Sequence, residues 1–293
     1  MPSTLRTSLG SDGVMVITLS RPKQRNAFTE EMANDVCEAV EAASRNANVK
    51  AVVLTGDPDG QAFCAGADLG GNGAQFTNKP APKPGVRPPS LATYRDSGGR
   101  VGLAILNCTK PVIAAVNGAA VGVGLTMPMT CDMRVVAADA KVGFPFVRRG
   151  LAAETLSSWT LSRLVGMGKA QELVLTGRVF SAKDAPPGMF NYIVDAKDVL
   201  PKAMELAREI ASNGAPVSVA LSKHLLLRGA NMTIEEAFLM ESKAIYQCAG
   251  SPDNVEGIMS FLEKRAPKFT SDGWVSLPEW FPFWTPLQDK AKL

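Results

Sequence analysis

Apolar and polar residues alternate over Val14–Ser20 (VMVITLS), which predicts a strand, and the RPKQRNAF that follows reads as a turn. From Phe28 onward Met32, Val36, Val40 and Ala43 recur at helical spacing, with Glu31, Asp35, Glu38 and Glu41 between them. Thr29 stands where such a helix needs an N-cap. AVVLTG, Ala51–Gly56, reads as a short buried strand ending in a glycine turn, and PVIAAVNG and DMRVVAAD predict two more. Strand, turn and helix therefore repeat along the first two thirds of the chain. Beyond about Pro201 the pattern is helical throughout, with helices expected near 201–212, 216–228, 234–248 and 252–264.

Two segments break this rhythm. GNGAQFTNKPAPKPGVRPPSLATYR, within an insertion over 71–97, holds five prolines and four basic residues and no acid, which reads as a lid, a binding loop or disorder, with a plain surface loop as the alternative. The tail over 266–293 holds Trp274, Phe281, Trp280, Phe283 and Trp284, and aromatics at that density are expected to pack against this chain or a neighbour. The organisation expected is a core over 1–200, a helical region over 201–265 and the aromatic tail.

Composition narrows the partners. The 293 residues carry 31 basic and 28 acidic side chains, with no dense basic stripe, so nucleic acid is not expected as a partner. Five cysteines, none close to another, suggest neither a disulfide framework nor a metal site. The apolar run over 111–129 is interrupted by Asn117, Gly118, Gly122, Gly124 and Pro128, so no membrane span is expected. His224, the single histidine, has no triad partners placed by the sequence and reads as a packed or solvated helix residue.

Candidate chemistry gathers at two glycine-rich turns, FCAGADL (63–69) and NGAAVGVG (117–124), each after a short hydrophobic stretch. Neither spacing fits a phosphate-binding loop, whereas backbone N–H groups freed by glycines can converge on one carbonyl oxygen. RRGLAAETLSSW, 148–159, adds a single carboxylate, Glu154. At the expected start of the helix ETLSSWTLSRLVG such an acid complements the helix dipole, which is one reading of it, and a catalytic base is the other.

RPKQRNAF, AFCAGADL, the run from KPVIAAVNG to KVGFPF, and FLEKRAPKF resemble, in order and separation, the crotonase or enoyl-CoA hydratase/isomerase superfamily over about residues 12–269. The resemblance implies an α/β (α+β) fold of repeated ββα units wound in a spiral, with carboxy-terminal helices that assemble a homotrimer or homohexamer. It implies an acyl-CoA substrate, with coenzyme A as part of that substrate and no separate cofactor or metal. By the same resemblance the backbone N–H groups of Ala65 and Val123 form an oxyanion hole. Arg25, Ala27, Ala67, Asp68 and Leu69 border the CoA moiety, Gly122 and Phe146 lie at the substrate, and Lys264 reaches a phosphate across a subunit boundary.

The departures select a reaction. Hydratases of the superfamily carry glutamates at the positions of Thr126 and Phe146, and this chain has neither. Glu154 stands where Δ3,Δ2-enoyl-CoA isomerases, peroxisomal ones closest in pattern, carry their single catalytic glutamate. Moving a double bond from C3 to C2 needs one base that takes a proton from C2 and returns it to C4, whereas hydration benefits from two polar groups. The expected activity is therefore isomerisation of a 3-enoyl-CoA. A hydratase acting on a branched or hydroxylated acyl-CoA and a non-catalytic acyl-CoA-binding scaffold are the alternatives. The terminal Ala-Lys-Leu resembles a peroxisomal address, which makes the peroxisome the expected compartment.

Overall fold

A computed structural model describes residues 4–70 and 93–281. Most of the 71–97 insertion, with Lys79, Lys83 and Arg87, and the tail end with Phe283, Trp284 and Ala-Lys-Leu lie outside the described residues.

The chain opens with a hairpin of β1 (Leu5–Leu9) and β2 (Val14–Leu19), antiparallel, with Leu5 opposite Leu19 and Leu9 opposite Met15. The sequence reading missed β1 because it is an edge strand: only Leu5 is buried and the other four positions are exposed, so no alternation shows. β2 then pairs in parallel with β3 (Ala51–Gly56), and both strands stand where the sequence pattern anticipates them. All six residues of β3 are buried, as a parallel strand covered on both faces requires.

From here each strand of the main sheet is followed by a short strand of a second sheet. β4 (Ala62–Cys64) follows β3, β6 (Ala119–Val121) follows β5 (Val112–Val116), and β8 (Lys141–Gly143) follows β7 (Met133–Ala137). β9 (Val179–Ser181) and β10 (Tyr192–Val194) complete a main sheet of order β1-β2-β3-β5-β7-β10 and a small sheet of order β4-β6-β8-β9. This alternation is the spiral of ββα units that the resemblance implies.

Helices fill both faces. α1 (Glu30–Arg45) buries Met32, Ala33, Val36, Val40 and Ala43, and its Thr29 cap accepts from the Met32 N–H at 3.1 Å. α2 (Ser97–Asn107) packs on α1 and is capped by Asp96. It begins where the insertion was expected to end, and Gly98, Gly99 and Gly102 hide it from any propensity argument. α3 (Val123–Met129) follows β6, while α4 (Ser157–Val165) and α5 (Met167–Thr176) follow β8.

Beyond these, α6 (Val199–Asn213), α7 (Pro216–Gly229), α8 (Ile234–Cys248) and α9 (Pro252–Leu262) match the helical segments expected from the sequence. α6 lies on the main sheet through the buried Val199, Ala203 and Ala207. On α7, His224 is fully buried with the Phe281 ring edge-on at 4.8 Å, so the packed reading holds and part of the tail folds back on this chain. Burial, reinforced by Lys223 and Arg228, pulls its pKa down to about 3, so it is neutral at physiological pH.

Candidate active site

The site grows from the ends of two adjacent parallel strands. β4 and β6 run side by side with Cys64 opposite Ala120, and the chain beyond each enters a glycine-rich turn. Gly66 has φ +100° and Gly122 has φ +59°, conformations that L side chains rarely adopt. The turns press on each other: a Cβ on Gly66 would lie 2.9 Å from the Val121 carbonyl oxygen, and one on Gly124 would collide with that of Cys64. Backbone therefore meets backbone where the two N–H groups of interest sit. Val123 is the first residue of α3, so its N–H has no acceptor within the helix. The Ala65 N–H donates to the Arg25 carbonyl at 3.2 Å, the long end of the range for such a bond.

The RPKQRNAF turn is held against this point by Asn26, which is fully buried. Its Oδ1 accepts from the Arg21 N–H at 3.0 Å, and its Nδ2 donates to the carbonyls of Asp57 and Ala62 at 3.0 and 2.8 Å. Arg25 and Asn26 are both left-handed, with φ +53° and +54°. Phe28 N–H donates to Gly66 and Asp68 N–H to Phe28, both at 2.8 Å, which stitches the turn to AGADL. Of the candidate CoA-bordering residues, Ala27 is buried, Ala67 half-buried and Leu69 exposed. Asp68 pairs with Arg21 at 2.8 Å and accepts from the Gly70 N–H, and these bonds hold its carboxyl below the usual range. Lys264 is exposed just past α9.

Glu154 stands in the loop before α4, which begins at Ser157 and not at Glu154. This corrects the expected helix start and with it the dipole reading, because the carboxylate addresses hydroxyls and no helix N–H. Its Oε1 accepts from Thr126 Oγ1 at 2.8 Å and its Oε2 from Thr155 Oγ1. Two successive left-handed residues, Thr155 at φ +53° and Leu156 at φ +57°, turn the chain so that this is possible. Only the backbone carbonyl of Glu154 serves α4, accepting from the N–H and hydroxyl of Ser157 at 3.0 and 2.7 Å. The first turn of α2 closes over the group: a Cβ on Gly98 would collide with Thr155 Oγ1 and Glu154 Oε2.

Burial raises the pKa of Glu154, the hydroxyls of Thr155 and Thr126 oppose the rise, and the Asp96 carboxylate adds to it. A carboxylate shifted in that direction is a better base near neutral pH. Cys64, also beside the turns, is excluded as a nucleophile because burial pushes its thiol up to about 12. Phe146 is buried, with its ring edge 3.7 Å from where a Gly122 Cβ would stand, so it walls the turn with carbon. Among the described residues no His, Cys, Asp and Glu side chains cluster as a metal site.

The structure thus brings Glu154, Gly122, Val123 and Phe146 together around α3, with Ala65 on the neighbouring strand end. Thr126, Thr155, Gly98 and Asp96 are neighbours of Glu154 that sequence reasoning missed. Thr126 enters it only as an empty acid position, whereas its side chain is buried and bonded to the Glu154 carboxylate.

The family model described as enoyl-CoA hydratase/isomerase matches residues 10–272. The chain is 42% identical over 261 residues to the enoyl-CoA hydratase ACTT3 of Alternaria alternata, covering 88% of this chain and 83% of that protein. It is 34% identical over 253 residues to a short-chain-enoyl-CoA hydratase of Clostridium acetobutylicum, covering 86% and 92%. Among solved structures, a probable enoyl-CoA hydratase/isomerase from Mycobacterium abscessus superposes with a TM-score of 0.81 at 36% identity, covering 91% of this chain and 98% of that one.

Proposed function

Because the chain belongs to the enoyl-CoA hydratase/isomerase family, we propose that it moves the double bond of a 3-enoyl-CoA to the 2-position with Glu154 as the only base. The observation that carries this reading is the half-buried carboxylate of Glu154, separated by one hydroxyl from the glycine turn that opens α3. The thioester oxygen accepts from Val123 N–H and from Ala65 N–H, which gives up its long bond to Arg25. As C2 loses its proton to Glu154, the electron pair moves onto that oxygen as an enolate. The loss of one such donor typically costs about 3–4 kcal/mol of transition-state energy. Glu154 then returns the proton to C4. Arg25, Ala27, Ala67, Asp68 and Leu69 border the CoA moiety, and no cofactor beyond the substrate's own CoA takes part.

Hydration of a 2-enoyl-CoA is the second reading, favoured by the hydratase names of the relatives. In it Glu154 alone activates the water. Both readings pass through an enolate, so a saturated acyl-CoA in deuterated water tests them together: deuterium is expected at C2. A chain that binds acyl-CoA with no exchange would be a scaffold.

We also propose a homotrimer or homohexamer. α8 and α9 leave Ile234, Phe238, Ile245, Tyr246, Phe261 and Leu262 each more than half exposed, an apolar face of the kind that further copies cover. Lys264, exposed just past α9, is the residue we propose to reach a neighbour's substrate. Light scattering is expected to give a multiple of the 31.0 kDa chain mass, and Phe238→Asp with Phe261→Asp to lower it. A monomeric wild type would contradict this.

A further inference from the structure

Thr126 stands between two acceptors. Its Oγ1 lies 2.8 Å from Glu154 Oε1 and 3.3 Å from the Gly122 carbonyl oxygen. A threonine hydroxyl has one proton and donates to one of them at a time. The ionised carboxylate is the closer and stronger acceptor, so it takes the bond while Glu154 is a base. Once Glu154 is protonated it is a weaker acceptor, and the Gly122 carbonyl is within reach. That carbonyl shares a peptide unit with the Val123 N–H. A hydrogen bond accepted at a peptide carbonyl polarises the unit and strengthens its N–H as a donor.

We propose that Thr126 is a positioning residue that couples the base to the oxyanion donor, its hydroxyl turning from Glu154 to the Gly122 carbonyl as Glu154 takes the substrate's proton. The proposal rests on Glu154 being the base and Val123 N–H a donor. In the step, the C2–H bond breaks, an O–H bond forms on Glu154, and the electron pair becomes the enolate. No covalent bond of Thr126 changes. Strengthening of Val123 N–H therefore coincides with the appearance of charge on the thioester oxygen, and return of the proton to C4 reverses the turn.

The surroundings suit this role. Thr126 and Thr155 are buried, so their hydroxyls are confined to protein acceptors. Thr155 holds the other carboxylate oxygen, which keeps Glu154 in place while Thr126 turns. The Gly122 carbonyl also accepts from Leu125 and Thr126 N–H, both at 2.9 Å, and is fixed on the first turn of α3. The titratable groups facing Glu154 are Asp96 at the start of α2 and Cys64 at the end of β4, and burial keeps Cys64 a neutral thiol.

The test measures migration of the double bond in a 3-enoyl-CoA across pH for wild type, Thr126→Val, Thr126→Ser and Glu154→Gln. Thr126→Val is expected to lower kcat roughly 10-fold to 100-fold, the worth of one hydrogen bond to a charged group. Its acidic limb moves to higher pH because the carboxylate has lost a donor. The deficit persists on the alkaline side, where Glu154 is ionised in both proteins, because the oxyanion coupling is gone. Thr126→Ser restores rate and limb. Convergence of the Thr126→Val and wild-type rates at alkaline pH overturns the coupling, as does a folded Thr126→Ser no better than Thr126→Val. An inactive Glu154→Gln beside an unimpaired Thr126→Val removes the coupling alone, whereas an active Glu154→Gln removes the reading of the base itself.

Discussion

Glu154→Gln is expected to lower turnover of a 3-enoyl-CoA by about 10²–10⁴-fold, the usual contribution of a general base. The amide keeps the size of the side chain and still bonds Thr126 or Thr155, so binding of acyl-CoA should change little. Stability is expected to move the other way. Because burial raises the pKa of Glu154 above its unfolded value, the folded state resists ionisation. That penalty is fully present above the folded pKa and absent below the unfolded one. Glu154→Gln should therefore melt higher than wild type at neutral pH, with the difference fading as pH falls through the carboxylate range. Thermal melts at several pH values, paired with turnover, check both signs. A variant that is less active and also less stable at neutral pH would point to a structural role.

Gly98→Ala is the second large effect. Glycine in a helix ordinarily costs about 1 kcal/mol relative to alanine, so a substitution in α2 should stabilise it. Here the added Cβ would collide with Thr155 Oγ1 and Glu154 Oε2. Something must move, and the carboxylate, in a loop outside any helix, moves more readily than α2. The expected result is a loss of turnover of at least tenfold, because misplacement of about 1 Å costs as much as 100-fold. Gly168 in α5 is the control, since a Cβ there meets nothing within 4 Å. Gly168→Ala should leave turnover unchanged and raise the melting temperature. Equal turnover by Gly98→Ala and wild type would show that α2 does not constrain the base.

The contrast between these two glycines shows what could be read in the sequence. α1, β3 and the helices from 199 onward are legible because periodicity, caps and proline signals agree. The glycine turns at 63–69 and 117–124 are visible as candidate N–H donors, and Glu154 stands out as a lone acid. α2 is not legible, because its first turn holds two glycines that helix propensity disfavours, and the space beside Gly98 is filled by Glu154 and Thr155. β1 is hidden by its exposure. Thr155 turns left-handed to face Glu154, and nothing in its neighbours signals that. Thr126 is the instructive case: an absent acid reads as an empty position, while the fold uses the hydroxyl as the acid's partner. What escaped the sequence was contact at Glu154 between segments far apart along the chain.

The central claim is that one carboxylate shifts a double bond. It is tested most directly by giving the protein a 3-enoyl-CoA and the matching 2-enoyl-CoA separately in deuterated water and following the products by mass and NMR. The 3-enoyl thioester is expected to become the 2-enoyl isomer of unchanged skeleton at a rate that Glu154→Gln lowers by about 10²–10⁴-fold, with the 2-enoyl thioester gaining water far more slowly. Rapid conversion of the 2-enoyl thioester to a 3-hydroxyacyl-CoA, with the 3-enoyl thioester left unchanged, would contradict it and make the protein a hydratase.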